Sequence, residues 1–395
     1  MGRAGHLSDW RDIVRPRRLA GLAERGRTLL GEAGLGKSSL VRRIATEARE
    51  AGGWATPQLR IPSGTDPLKR VASALLDLAD QAGLPHARER RIKDQLDRVE
   101  AIAAGPVSVS LRENTGPEPY TALTDLLVEI GRVAAGHPDA MVLVHIDEVQ
   151  NITDQNVLSQ LLVALGDALV HEEPAVAPGG VEFERALPIA VYLTGLPDFA
   201  AMTSARTGAT FARRFQTSTL AGLDDEDVAM ALQPFVTDGW ETVGEDGATE
   251  LVTMEPGARD AVVDLARGEP FLFQLAGERA WYAGTGDVIT AGEVFAGWET
   301  AREEARSHVE RILARLPKRE REFLEAMADM EPDERTLTRI ADRLGYAKAS
   351  DAGPTAQRLD SLRGMISRGR PYSFRHRAVE AYLTSDWPDV SGGRG

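Results

Sequence analysis

Apolar residues follow two different spacings in the first 220 residues of the chain. Short unbroken apolar runs, as at 28–30 and 189–193, are typical of buried strands, whereas apolar residues repeated every three or four positions indicate helices. Strands are predicted at 28–30, 58–61, 107–111, 141–146 and 189–193, and helices from 37, from 66, and at 87–103, 120–133 and 154–171. Segment 172–188 is predicted to be a flexible loop or a hairpin. The alternation predicts an α/β domain with a parallel sheet.

Helical spacing dominates the rest of the chain. Residues 225–300 predict short helices that suit a helical lid, and 299–315 a charged connecting helix. After Pro317, three small helices and a terminal strand at 371–375 are typical of a winged helix. The predicted divisions are an entry segment 1–26, an α/β domain 27–222, a lid 223–300, a connecting helix 301–317, a winged-helix domain 318–388 and a disordered tail 389–395.

Composition narrows the functional classes. The 395 residues are enough for two or three domains, and the absence of cysteine excludes disulfides, thiolate catalysis and cysteine zinc sites. No apolar stretch is long enough to cross a membrane and the first ten residues lack a signal-peptide core, so we expect a cytoplasmic protein without a membrane partner. A net charge of −14 argues against coating of nucleic acid over the whole surface.

The pattern G-x-x-x-x-G-K-[ST] follows the first predicted strand. It is matched by Gly31, Glu32, Ala33, Gly34, Leu35, Gly36, Lys37 and Ser38, with Ser39 directly after them. Glycines at these positions let successive backbone N–H groups point at phosphate oxygens. Lys37 would reach the outer phosphates and Ser38 would offer its hydroxyl to Mg²⁺. The motif predicts a bound nucleoside triphosphate.

The predicted strand 141–146 leads directly into Asp147 and Glu148. Such a strand is the Walker B element that accompanies a phosphate-binding loop, although two acids after a strand are by themselves also typical of a solvated turn. With the loop present, we expect Asp147 to hold the Mg²⁺ shell and Glu148 to orient or deprotonate the attacking water. His145, inside the strand, is expected to be a hydrogen-bonded core residue.

Three further polar residues are candidates for the same chemistry. Thr194 ends strand 189–193 and would contact the γ-phosphate or the attacking water, unless it only caps the strand. Arg213 or Arg214 could stabilise transition-state charge, from this chain or from a neighbouring subunit, or could be a surface arginine.

The motif order resembles AAA+ ATPases of the origin-recognition-like and archaeal-ATPase type, close to the STAND signalling ATPases. The resemblance covers roughly residues 15–385 and rests on GEAGLGKSSL at 31–40, VLVHIDEVQN at 142–151, YLTGLPDF at 192–199, FARRF at 211–215 and GEPFLFQLAGERAW at 268–281. It implies a P-loop NTPase fold with a lid and a C-terminal winged helix, and it implies ATP as the nucleotide. By the same resemblance Gly268 and Pro270 would line the nucleotide site, and Arg279 is the candidate for a sensor arginine.

Basic residues concentrate near the C-terminus. Ten basic residues face four acidic residues between 335 and 380, a local excess of +6 in an acidic chain. Arg358 and Arg363 could approach a groove of double-stranded DNA, and Arg368 and Arg370 could contact phosphates. A winged helix of this kind can instead pack on the nucleotide domain or bind protein. The resulting hypothesis is an ATP-driven switch; the alternatives are a DNA-binding regulator with a slowly turned-over nucleotide and an oligomerising scaffold.

Overall fold

The structure is a computed structural model that describes residues 3–81, 119–176, 179–204, 213–243 and 247–390. The helix predicted at 87–103, the strand at 107–111, and Phe211 and Ala212 lie outside these ranges. Contacts divide the chain into a sheet unit, residues 3–30 and 37–218, and a lid unit, residues 31–36 and 219–390. Each unit has its own apolar core.

The sheet unit contains a mainly parallel sheet. Its strands are β1 (Gly26–Leu30), β2 (Trp54–Ala55), β3 (Leu59–Arg60), β4 (Val142–Asp147), β7 (Ile189–Gly195) and β8 (Phe215–Thr219). They are ordered β2-β4-β7-β1-β8, with β3 also paired to β4. All residues of β1, β4 and β7 are buried, which explains the apolar runs from which these strands are predicted. The predicted parallel α/β sheet is confirmed.

Helices and one hairpin complete this unit. The helices are α1 (Ala4–Ser8), α2 (Arg15–Leu19), α3 (Lys37–Glu50), α4 (Pro67–Gln81), α5 (Pro119–Ala135), α6 (Gln155–Val170) and α7 (Asp198–Ser204), with a π-helical stretch (Asp9–Val14) between α1 and α2. Strands β5 (Glu172–Val176) and β6 (Glu182–Ala186) pair antiparallel, so segment 172–188 contains a hairpin.

Strand β1 is two residues longer than the apolar run that predicted it. It includes Arg27, whose side chain is buried and donates to Asp9 from Nε at 2.7 Å and from Nη2 at 3.0 Å. The entry segment thereby neutralises a charge inside the sheet. A strand interrupted by arginine in the sequence is therefore continuous in the fold.

The lid unit begins with α8 (Asp225–Thr237) and then departs from the prediction. Where helices alone were expected, β9 (Trp240–Val243), β10 (Thr249–Met254) and β11 (Val288–Ile289) form a sheet in the order β11-β10-β9. The prediction of helices alone was wrong at these strands: β10 contains the strand-favouring residues Thr249, Val252 and Thr253, but no regular alternation of polar and apolar residues marks it in the sequence. Two helices, α9 (Pro256–Ala266) and α10 (Pro270–Ala283), precede β11.

A single 24-residue helix, α11 (Ala291–Ala314), crosses the predicted division at residue 300. It begins with a capping box in which Thr290 and Glu293 bond each other's backbone N–H groups. After it come α12 (Lys318–Ala328), α13 (Leu337–Arg343), α14 (Ala349–Gln357), the antiparallel pair β12 (Ile366–Ser367) and β13 (Ser373–Phe374), and α15 (Arg377–Thr384). None of the helices in the described ranges combines the length and apolar character that a membrane crossing requires.

Candidate functional site

Asp147, the last residue of β4, lies at the centre of a buried hydrogen-bond network in the sheet unit. Its side chain is only 4% exposed. The hydroxyl of Ser38 donates to Oδ2 at 2.9 Å, and the Gln58 amide donates to the same oxygen. Oδ1 accepts from the Thr194 hydroxyl and, at 2.9 Å, from the backbone N–H of Glu148. The fold therefore brings Ser38, Asp147 and Thr194 together, as the motifs predict.

The network favours an ionised Asp147. Burial raises the pKa of this carboxyl, but the hydrogen bonds from Thr194 and Ser38 lower it by more than burial raises it. The pKa therefore lies below its usual range. A carboxylate and a hydroxyl oxygen side by side are hard oxygen donors of the kind that Mg²⁺ prefers. Ser38 and Asp147 thus fit the metal that the sequence predicts.

Glu148 has an unusual backbone conformation. Its φ is +59°, in the left-handed region that non-glycine residues seldom adopt. Asn151 Nδ2 lies 3.3 Å from its Oε2 and also donates to the Ile61 carbonyl at 3.1 Å. Strained backbone of this kind is concentrated at functional sites, where it fixes the direction of one side chain. The strain is consistent with a functional role for Glu148.

His145 extends the network beneath Thr194. Both side chains are buried, and His145 Nε2 lies 3.2 Å from Thr194 Oγ1. Burial lowers the pKa of His145 to about 4, because the cost of burying a charged imidazole outweighs the attraction between that charge and Asp147. His145 is therefore neutral near pH 7, and it is a hydrogen-bonded core histidine as expected.

In the lid unit, the glycine loop (residues 31–36) contacts the beginning of α10. The Phe271 N–H donates to the Gly34 carbonyl at 3.2 Å, and the rings of Phe271 and His308 stack with centroids 4.6 Å apart. Gly34 has φ +88°, and a Cβ there would lie 2.8 Å from His308 and 2.9 Å from Phe271. A Cβ at Gly36 would lie 3.6 Å from Pro270. The loop is thus packed against the Gly-x-Pro segment so closely that position 34 admits only glycine.

The buried charge cluster of the lid unit consists of four buried residues, Glu32, Glu269, His308 and His376, and of Arg315, whose side chain is 33% exposed. The Glu269 carboxylate, 1% exposed, lies 2.6 Å from His308 Nε2 and 2.8 Å from His376 Nδ1, and Glu32 pairs with Arg315. Burial raises the pKa of Glu269, but the charge of His376 and the hydrogen bond from His308 lower it to about 2. Burial lowers the pKa of His376, and Glu269 more than compensates, so that pKa is raised.

The remaining predicted site residues differ in their surroundings. Gly268 has φ +75°, and a Cβ there would lie 2.3 Å from the Leu223 carbonyl, so the turn before Pro270 requires glycine. Lys37 begins α3 and is half-buried. Arg214 pairs with Asp167 at 2.7 Å, and Arg213 is exposed. The roles of these residues toward a nucleotide stay predictions.

Ala33, Leu35 and Ser39 complete the predicted motif. Leu35 is buried, Ala33 is partly buried and Ser39 is exposed. Arg279, the candidate sensor arginine, lies on α10 and pairs with Glu304 at 3.4 Å.

The C-terminal basic residues are mostly paired within the chain. Arg363, predicted to approach a groove, is 7% exposed and donates to Glu320, and Arg358 donates to the same carboxylate at 2.8 Å. Arg368 donates to Asp360 at 2.9 Å. The proposed groove contact of Arg363 was wrong because its partner, on α12, lies outside the segment over which charge was counted. Over 318–388 there are thirteen basic and twelve acidic residues, a net charge of +1.

Sequence reasoning missed Gln58, His308 and Arg315. Gln58 donates to Asp147 because β3 pairs with β4 in the register that places Arg60 beside Asp147. His308 and Arg315 reach the glycine loop from more than 270 positions away in the chain. No local pattern marks such contacts, since they depend on tertiary packing.

The chain is similar to known proteins in its fold but not closely in its sequence. No protein-family description and no curated protein matches the sequence. The structure is similar to the ORC2 protein of Aeropyrum pernix, solved as ADPNP-ADP complexes, with 16% identity, 97% of this chain and 92% of that chain covered, and a TM-score of 0.52. A Walker-type ATPase of Pyrococcus abyssi is similar at 16% identity, with 97% and 96% covered and a TM-score of 0.51. The chain therefore has the fold of the origin-recognition-like P-loop ATPases.

Proposed function

We propose that the protein binds and hydrolyses ATP with Mg²⁺ and acts as a nucleotide-dependent switch. The observation that carries the proposal is the 2.9 Å hydrogen bond from Ser38, in the G-K-S motif, to Asp147 at the end of a buried parallel strand. In P-loop enzymes this hydroxyl and this carboxylate are the two protein groups that hold the metal. A chance glycine-rich turn would not require that pairing.

Each residue has a separate task in this proposal. The backbone of the glycine loop and Lys37 would bind the phosphates, while Ser38 and Asp147 would hold Mg²⁺, which neutralises charge on the phosphate oxygens when bound. Glu148 would orient the attacking water and accept its proton. Thr194 would sense the γ-phosphate. The nucleotide bound by the Aeropyrum pernix protein supports ATP as the substrate.

The switch is supported by a continuous set of contacts inside the lid unit. The Gly34 carbonyl bonds Phe271, Phe271 stacks on His308, and His308 bonds Glu269. Glu269 then pairs with His376, which directly precedes α15. Because the packing leaves no free space at Gly34, a change in loop conformation on nucleotide binding would be passed to these residues.

We propose that the C-terminal region, 318–388, is the output of the switch and that it acts through a protein partner. Three helices followed by the β12–β13 pair are compatible with a winged helix. Its net charge of +1 and the burial of Arg335 and Arg363 in ion pairs leave little excess positive charge for duplex DNA. Lys348 and Arg370 are exposed and form no ion pair among the described residues.

ATP turnover by the full chain with Mg²⁺ tests the proposal. Glu148→Gln should bind ATP but lose at least about 100-fold in kcat, the usual contribution of a general base. Glu182→Gln, an exposed carboxylate on the β5–β6 hairpin, is the matched control and should be unaffected. Lys37→Ala should lose ATP binding. Normal ATP affinity in Lys37→Ala together with unchanged turnover in Glu148→Gln would refute the assignment.

The same assay separates the partner classes. Turnover is measured with and without duplex DNA at two salt concentrations, because phosphate contacts weaken steeply as salt rises. A turnover rate that duplex DNA leaves unchanged is the expected result. Stimulation by DNA that salt abolishes, and that Glu148→Gln eliminates, would favour a DNA-coupled ATPase instead.

A further inference from the structure

The small sheet of the lid unit ends in an open strand edge. Its order is β11-β10-β9, and β9 pairs with β10 alone among the strands that the structure describes. An edge of this kind presents backbone N–H and C=O groups with which another extended segment can form hydrogen bonds. Strand β9 is therefore the edge at which this sheet could be extended.

One face of the sheet packs on the core of the lid unit. Residues directly opposite each other in adjacent strands share a face, and the faces alternate along each strand. Met254 is opposite Ile289, and Val252 lies two positions before Met254 on β10. All three pack in the lid core, so this inner face already has its partner.

The outer face carries apolar side chains that the core does not cover. Leu251 shares this face with Val243, opposite Thr249, and with Val288, opposite Thr253. Leu251 is 51% exposed, Val243 77% and Val288 38%. A sheet face turned to water normally carries polar residues, and exposed apolar side chains gathered on one face are typical of an interaction surface.

The strands that carry this face are acidic. The described residues 238–243 and 247–258 contain no lysine, arginine or histidine, and their acidic residues are Asp238, Glu241, Glu250 and Glu255. Glu241 lies on the outer face opposite Leu251. Neither Glu241 nor Glu250 forms an ion pair with another residue in the described ranges, and both are exposed. Their charge is therefore available to a positively charged partner.

We propose that the β9 edge and the outer face form a docking site for an extended basic segment of a protein partner, which joins the sheet as a fourth strand. Backbone hydrogen bonds along β9 would hold the segment. Its apolar side chains would pack beside Val243, and a lysine or arginine would pair with Glu241. A second copy of this chain fits less well, because pairing two β9 edges would place two acidic segments side by side.

Selection from a library of random displayed peptides, each of about twelve residues, against the full chain tests the inference. The enriched peptides should alternate apolar residues with lysine or arginine. They should be retained by the wild-type chain and lost on Val243→Lys, which opposes both the apolar contact and the charge attraction. An absence of enrichment over the starting library, or enrichment of peptides without positive charge, would overturn the inference.

Fluorescence anisotropy with the most enriched peptide measures each contribution. Val243→Lys should weaken its binding at least about tenfold and Glu241→Gln about threefold, and high salt should weaken binding to the wild type. The matched controls lie near or on the β5–β6 hairpin: Val181→Lys, an exposed valine, and Glu182→Gln, an exposed glutamate. Equal losses in a variant and its control would overturn the assignment of the site.

N-methylated peptides test strand addition itself. Only alternate residues of an added strand direct their N–H groups at β9. Methylating one alternate set of amides should therefore weaken binding at least about tenfold, whereas methylating the other set should be tolerated. Equal binding of the two methylated peptides would overturn strand addition.

The remaining readouts separate this inference from the proposed ATPase function and from self-association. ATP turnover in Val243→Lys should equal that of the wild type, since the docking site contains none of the residues assigned to the nucleotide. Sedimentation equilibrium should show the same mass for both chains. A wild-type dimer that Val243→Lys dissociates would assign the face to a second copy and overturn the inference. Thermal unfolding midpoints check that each variant folds.

Discussion

The buried charge cluster of the lid unit predicts how stability depends on pH. Glu32 and Glu269 carry two negative charges and Arg315 one positive charge, so a single protonated histidine makes the cluster neutral. Since an uncompensated buried charge is costly, we expect His376 to hold that proton. Substituting His376 with glutamine removes the compensating charge while keeping a polar side chain of similar length.

The two pKa shifts define a window of greatest stabilisation. The pKa of His376 is raised above its ordinary 6.5, so its contribution is complete below pH 6.5 and is lost as pH rises through the folded-state value. The pKa of Glu269 falls from 4.5 to about 2, so its contribution is complete above pH 4.5 and is lost as pH falls toward 2. At about 1.4 kcal/mol per pH unit, the Glu269 shift corresponds to roughly 3 kcal/mol. The cluster should stabilise the fold most between pH 4.5 and 6.5.

Urea unfolding between pH 5.5 and 9 measures this effect. Tryptophan fluorescence includes the unfolding of the lid unit because Trp298 and Trp387 are buried there, while Trp10 is buried in the sheet unit. We expect His376→Gln to lower the free energy of unfolding by about 3 kcal/mol at pH 5.5, and by progressively less as pH rises through the raised pKa of His376, where the wild type loses the proton as well. His171→Gln, which alters a partly exposed histidine on the other unit, is the control. A His376→Gln deficit that stays constant over this pH range would refute the reasoning.

Two further predictions concern stability at single positions. Gly268→Ala should lower the thermal midpoint, because backbone strain and the clash with Leu223 cost at least about 2 kcal/mol. Gly277→Ala should instead stabilise the fold by about 1 kcal/mol, because Gly277 lies within α10 with open space around it. Equal effects of the two changes would contradict the geometry. Glu320→Gln should cost about 3 kcal/mol in urea unfolding because it leaves two arginines without their shared carboxylate, and Glu325→Gln on the same helix less than about 0.5 kcal/mol. Equal losses in Glu320→Gln and Glu325→Gln would mean that the buried ion pairs of Glu320 add no stability beyond that of an exposed pair.

The central strands could be predicted because burial on both faces leaves an unbroken apolar run. Strands β4 and β7 are of this kind, and the motif order correctly anticipated that Ser38 and Asp147 would meet. Strand β1 was predicted too short, since the sequence does not show that Asp9 neutralises Arg27. Local pattern thus identifies elements whose burial is uniform and misses those completed by a distant partner.

The same limit applies to charge. In the sequence Arg363 adds to an apparent basic surface, whereas in the structure it is buried and donates to Glu320, 43 positions earlier. His308 belongs to the segment that the sequence predicts as a charged connecting helix, yet it stacks on Phe271 beside the glycine loop. A helix of mixed charge can bury one face and expose the other, and only the packing shows which residues lie on each face.

The 24-residue helix α11 determines how the protein can be divided for experiments. At 1.5 Å per residue it spans about 36 Å. Its Trp298 donates to the Pro388 carbonyl at 2.8 Å, and Arg306 pairs with Asp389 at 2.5 Å. A fragment ending at residue 300 would remove the partners of α10 and sever this helix, and one starting at 316 would expose the apolar face that α11 covers. We expect residues 290–390 to be the shortest C-terminal piece that keeps these contacts and the Thr290 cap, so studies of partner binding by this region should begin at that cap.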